Sequence, residues 1–170
     1  MIEGATTRLR EHRESDLAAL GALRNDLSLQ RQLLAHGRPN SIDRVREWAQ
    51  RVSGAPDAVL FVVADLADAP IGFVQISGMD LIDGHGWLGI ALADEGRGQG
   101  HGQEAVELVA GYARSVFHLR KVLLEVAVDN EQAIALYRRL GFRDVGVLQD
   151  HVRTDDGYGD VAIMELHLAP

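Results

Sequence analysis

Two stretches of this 170-residue chain carry residue types and spacings able to do chemistry. The first, Arg97-Gly98-Gln99-Gly100-His101-Gly102, sets glycines at alternate positions between an apolar run and a helical pattern. Glycine costs a helix about 1 kcal/mol relative to alanine, so these residues serve something other than helicity. The first N–H groups of a helix lack intrahelical partners and carry the positive end of its dipole. Glycines let an anion approach them, so strand, glycine turn and helix in that order make a phosphate cradle. Two nucleotide loops are excluded. A P-loop needs lysine and Ser/Thr after its last glycine, where this chain has Gln103 and Glu104. The dinucleotide pattern G-x-G-x-x-G, started from Gly96, meets His101 at its third glycine.

The second stretch is "LLEVAVDNEQAIALYRRLGF", residues 123–142. With a strand period of two, Val122, Leu124, Val126 and Val128 point one way, and Leu123, Glu125 and Ala127 the other. A buried acid without a cation has a raised pKa, which suits a general base near neutral pH. The alternatives for Glu125 are a wet sheet edge or an arginine partner. Asp129 with Gln132 forms a capping box for the next helix, or Asn130 caps it instead. Ala133, Leu136, Tyr137 and Leu140 share a helical face, and on periodicity alone Tyr137 is a core residue with its hydroxyl tied to a partner.

These residues need elements to position them. Residues 6–11 read as a strand, 14–26 as a helix capped by Ser15 or Asp16, and 41–53 as a helix capped by Ser41. Residues 58–65 and 70–79 are β-rich and form a hairpin, and 87–93 is a further strand. A helix runs from the glycine loop to about His118 with Ala105, Leu108, Val109, Tyr112 and Val116 inward. Glu104 and Glu107 read as solvated charges at its positive end. Then come a strand over 121–128, a helix over 131–140 closed by Gly141, and two last strands. The strand–helix–strand step in the middle requires a parallel pair crossed by the glycine-led helix, while short links elsewhere give antiparallel neighbours. The expected class is α/β: one domain over 1–170, with a mixed, mostly antiparallel sheet of about seven strands and about four flanking helices.

Composition narrows the function. The net charge of −8 disfavours nucleic-acid binding, which needs a basic face. The absence of cysteine excludes disulfides, thiolate metal sites and a cysteine nucleophile. No run approaches the ~18 apolar residues of a membrane span, and the N-terminus has no signal-peptide core. The expected location is cytoplasmic. The histidines at 12, 36, 85, 101, 118, 151 and 167 show no H-x-x-x-H or H-E-x-x-H spacing, so no metal is expected. Residues 1–56 hold nine arginines against seven acids; residues 57–170 hold eight basic residues against eighteen acids.

Arg97 to Gly102 resembles the acetyl-CoA pyrophosphate loop of the GNAT N-acetyltransferase superfamily, Q/R-x-x-G-x-G/A. Asn130, Ala133, Tyr137, Gly141 and Phe142 fit that family's N-x-x-A-x-x-x-Y-x-x-x-G-F. The closing "DGYGDVAIMEL" resembles the last strand of its RimJ/RimL-type and polyamine acetyltransferase branches. The resemblance implies a GNAT fold whose central parallel pair splays to admit acetyl-CoA as cosubstrate. It implies that Arg97, Gly98, Gln99, Gly100, His101 and Gly102 hold the pyrophosphate. Backbone groups of Ile90, Ala91 and Leu92 pair with the pantetheine arm, which Asn130 positions. Tyr137 becomes the acid that protonates the leaving thiolate, and Glu125 the base, with His85 and His151 as alternative bases. Gly89, Ala91 and Ala93 leave one face of their strand small. The acceptor is a small-molecule or peptide amine. Asp150, Asp155, Asp156 and Asp160 favour a cationic one such as a polyamine; the arginines at 24, 31, 38, 44 and 46 favour a phosphate-bearing amino sugar. A protein N-terminus and a homodimer stay open. The competing class is a GNAT-like acyl-CoA sensor without turnover, against which the presence of Glu125 and Tyr137 argues.

Overall fold

Alternation along the central strands decides what each layer of helices covers. The structure is a computed structural model that describes residues 1–35 and 37–168, so His36 lies outside the described residues. The elements are β1 (Ile2–Glu3), β2 (Arg8–Arg10), α1 (Leu17–Asn25), α2 (Leu27–Gln32), α3 (Ile42–Ser53), β3 (Val59–Ala64) and β4 (Pro70–Asp80). They continue with β5 (His85–Leu92), α4 (His101–Phe117), β6 (Lys121–Ala127), α5 (Glu131–Arg139), β7 (Arg143–Thr154) and β8 (Gly157–His167). The eight strands form one sheet in the order β1-β2-β3-β4-β5-β6-β8-β7. Every neighbouring pair is antiparallel except β5 with β6.

One face of this sheet presents Val63, Val74, Ile76, Leu88, Val122, Leu124 and Val126, covered by Ala105, Val106, Val109 and Ala113 of α4. Helix α5 packs on the same core through Ala133, Ile134, Tyr137 and Leu140. The other face presents Leu60, Val62, Phe73 and Ala91 to Leu20, Leu23, Val45, Trp48 and Ala49 of α1 and α3. Fully burying such a side chain is worth about 1.5–3 kcal/mol, so these two clusters fix the layers. Cover on the second face ends near Phe73, whose ring meets Trp48 edge-on at 5.1 Å. Beyond it the sheet face is left open.

The described chain has one strand and one helix more than the sequence leads one to expect. The extra strand is the two-residue β1, too short for a period. The extra helix is α2, six residues begun by Asp26, which accepts from the Leu29 N–H at 3.0 Å. Asp16 does not cap α1 by its side chain. It is buried instead in an ion pair with Arg10 at 2.7 Å and accepts from the Arg13 N–H at 2.7 Å.

Candidate active site

The parallel pair is the structural origin of the site. Strands β5 and β6 pair only at His85↔Lys121, Gly86↔Val122 and Trp87↔Leu123. Beyond those rows β5 keeps its ladder with β4 to Leu92, and β6 keeps its ladder with β8 to Ala127. The two strands therefore diverge, and the sheet is split between Gly89–Leu92 and Glu125–Ala127. Main-chain groups alternate sides along a strand. The Ala93 N–H bonds Ile71 O on the β4 side, which turns Ile90 and Leu92 toward the split and Ala91 toward β4. A cleft of about 670 Å³ passes through this opening. Glycine-loop and α5 residues line one end; Gln32, Leu33, Leu34, Gln75, Ser77, Trp87 and Glu125 line the other.

At the first end stands the N-terminus of the 17-residue α4. Gly98 and Gly100 have φ of +74° and +88°, which side chains disfavour, and that backbone turns the loop into the helix. Gly100 is the N-cap and no side chain caps the helix. The first intrahelical bond runs from Glu104 N to Gly100 O, so the N–H groups of His101, Gly102 and Gln103 have no partner within the helix. They carry the positive end of the dipole. Arg97 donates through Nε to Leu92 O at 3.1 Å and pairs with Asp94 at 3.1 Å, which folds the loop against the end of β5. Arg97, Gly98, Gly100 and Gly102 line the cleft, while Gln99 and His101 do not. Gln99 donates to Glu95 O at 2.7 Å, and the buried His101 ring meets Thr7 Oγ1 at 3.0 Å. For those two only the main chain is on the loop side. Glu104 is not a bare solvated charge: it takes the N–H groups of Ala5 and Thr6 and the Thr6 hydroxyl.

Helix α5 brings two polar groups to the split. Asn130, not Asp129, caps it: Asn130 Oδ1 accepts from the Ala133 N–H at 3.2 Å, leaving Nδ2 to donate. At the other end Gly141 N bonds Arg138 O at 3.1 Å and Phe142 N bonds Tyr137 O at 2.9 Å. This is a Schellman closure with Gly141 at φ +91°. Its usual apolar contact is present as Tyr137 against Phe142, ring centroids 5.5 Å apart. The helix ending thus positions the tyrosine. Tyr137 is half-buried rather than a sealed core residue, and it lines the cleft. Burial pushes its hydroxyl pKa up to about 12, so it stays protonated at neutral pH.

Glu125 lies on the opposite face of the sheet, exposed in the cleft, with no ion pair to a described residue. Its exposure removes the burial expected of an acid between apolar neighbours; it is wet because of the cleft and not at a sheet edge, since β6 lies between β5 and β8, and the arginine partner is absent among the described residues. His85 begins β5 and His151 lies within β7; neither lines the cleft. Three of the N-terminal arginines weighed for the acceptor have partners, one of them in the acidic half. Arg31 pairs with Asp155 at 2.8 Å, Arg46 with Glu14, and Arg24 stacks on Trp48 at 4.3 Å. No described helix is long and apolar enough to cross a membrane.

A split parallel pair with an anion cradle at its mouth is the signature of one class of transferase. The acetyltransferase (GNAT) domain family matches residues 7–143, and the chain belongs to that family of N-acetyltransferases. It is similar to a spermidine N(1)-acetyltransferase of Vibrio cholerae, 31% identical over 61% of this chain, a match that spans only 60% of that enzyme's length. It is also similar to a putative ribosomal N-acetyltransferase of Bacillus subtilis, 24% identical over 96% of this chain and 91% of the relative. Among solved structures, the V. cholerae spermidine N-acetyltransferase in complex with CoA and spermine superposes with a TM-score of 0.89 at 25% identity, covering 96% of both chains.

Proposed function

We propose that this chain transfers the acetyl group of acetyl-CoA to a primary amine by direct attack. The observation that carries the reading is the split itself: it opens the sheet between Tyr137 on one face and Glu125 on the other. The residues present fit the cosubstrate, because the uncapped start of α4 offers free N–H groups to a pyrophosphate. Acetyl-CoA supplies an activated acyl carbon and a thiolate leaving group. The chain does the rest. N–H groups of His101, Gly102 and Gln103, with Gly98, Gly100 and Arg97, hold the phosphates. Ile90 and Leu92 accept the pantetheine arm as an added strand, and Asn130 Nδ2 donates to it. Glu125 takes the proton the amine gives up as its nitrogen bonds the acyl carbon. The Tyr137 hydroxyl passes its proton to sulfur as the carbon–sulfur bond breaks, and is reprotonated from solvent.

The acceptor belongs to this proposal as well. The relatives named for spermidine and for ribosomal acetylation favour a polyamine or a protein N-terminus. A thiol-release assay over spermidine, glucosamine and an alanine tripeptide, with product mass measured, tests the reading. One equivalent of CoA per acetylated amine is expected. Tight CoA binding with no acetylated product from any amine contradicts it.

A further inference from the structure

Gln75 stands out among the polar side chains of the cleft because its amide oxygen is buried with no partner among the described residues. Its Oε1 is buried without a hydrogen-bond partner, and its Nε2 donates to no described residue. Leaving a buried polar atom unsatisfied costs about 1–3 kcal/mol, so such an atom calls for an explanation. Gln75 lines the cleft, which places that unused amide where a ligand passes.

The sheet register says what it faces. Gln75 pairs directly with Gly89. The parallel register of β5 and β6, taken two residues past Trp87↔Leu123, sets Gly89 opposite Glu125 across the split. Gln75, Gly89 and Glu125 therefore lie in one row on one face of the sheet, with a residue lacking a side chain in the middle. That face is covered by α1 and α3 at Phe73 and Ala91 but open here. A Cβ at Gly89 would stand 3.5 Å from Gln75 Cγ and 3.6 Å from Nε2, so the amide already leans over the bare backbone. A half-turn of the terminal torsion, which has two broad wells, exchanges Oε1 and Nε2. It breaks no hydrogen bond to a described residue and brings the oxygen to the Gly89 side, with Nε2 taking the buried position.

We infer that the acceptor nitrogen is seated on the backbone of Gly89 between Gln75 and Glu125. Gln75 Oε1 accepts one N–H of the amine, which holds its lone pair toward the split. Glu125 faces the proton that the nitrogen loses. Gln75 is thus a positioning residue for the nucleophile, and Gly89 is the floor that lets the amine reach the acyl carbon. The inference rests on the acetyl-transfer reading for its chemistry, but the seat is a binding site and can be tested without turnover.

The test is calorimetric titration of spermidine, glucosamine and an alanine tripeptide into protein saturated with unacetylated CoA. The variants are Gln75→Leu and Gly89→Ala, and thermal melts accompany each. Gln75→Leu removes an unsatisfied group, and a Cβ at 89 makes only ordinary contacts, so both are expected to melt no lower than wild type. Each is expected to weaken amine binding at least tenfold while CoA affinity stays within twofold. In turnover the loss falls on the acceptor KM and not on the KM for acetyl-CoA. Amine affinity within twofold of wild type in either variant overturns the seat, as does failure of every amine to bind the CoA-loaded protein. Amine binding that depends on both residues, with no acetylated product, keeps the seat and overturns acetyl transfer.

Discussion

In the proposed reaction Tyr137 and Glu125 divide the proton work, and their surroundings differ. Burial holds the Tyr137 hydroxyl near pKa 12, whereas Glu125 stands in the open part of the cleft. The acid form of a group with a raised pKa is lost only as pH climbs to that value. On this account kcat shows no alkaline fall from Tyr137 up to about pH 10. Tyr137→Phe is expected to lower kcat roughly a hundredfold, the low end for a general acid, with CoA affinity within twofold. Steady-state rates and CoA titration check this; an unchanged kcat removes Tyr137 as the acid. The spacing of Asn130, Tyr137 and Gly141 was legible in the sequence. The exposure of Glu125 was not, because alternation tells which face a residue takes and not whether that face is covered. Gln75 gave no signal at all, since an amide on a strand is ordinary until its register across Gly89 is known.

At the level of elements, the ending of α5 and the start of α4 are the parts under most demand. Gly141→Ala places a side chain at φ +91°, at a cost of about 1–2 kcal/mol. That corresponds to a Tm lower by about 2–8 °C, and since the same turn holds Tyr137 against Phe142, kcat is expected to fall with it. Calorimetry and turnover on one preparation check both. Glu104 ties α4 to the first residues of the chain. Desolvation works to raise its pKa, but the hydrogen bonds from Thr6, Thr7 and Ala5 outweigh it and hold it at about 2. A depressed carboxylate stabilises the fold above its ordinary pKa, and that contribution fades as pH falls toward the depressed value. The Tm gap between wild type and Glu104→Gln is therefore expected in full at pH 7. It is expected to shrink between about pH 4.5 and pH 2. A gap constant across that range contradicts the role. Local rules read Glu104 as a dipole charge because its partners lie 98 and 99 residues away in sequence. They missed α2 because six residues are too few to show a period.

For the whole molecule, two helical layers hold a sheet that is continuous at both edges and split at its centre. The order of strands and helices, and with it the parallel pair, followed from the sequence pattern. Where that pair stops pairing did not, since Leu88–Leu92 and Leu124–Ala127 are as β-prone as the rows that stay bonded. The split is the feature on which the account depends, and it makes a prediction at single amides. The N–H groups of Ile90 and Leu92 face the split, while that of Ala91 faces β4. Amide hydrogen exchange, resolved by residue and compared with and without saturating CoA, is the most direct test. Ala91 should be protected in both states, and Ile90 should pass from fast exchange to protection when CoA binds. Bound CoA with Ile90 still exchanging as in the free protein would contradict the placement of the cosubstrate between β5 and β6.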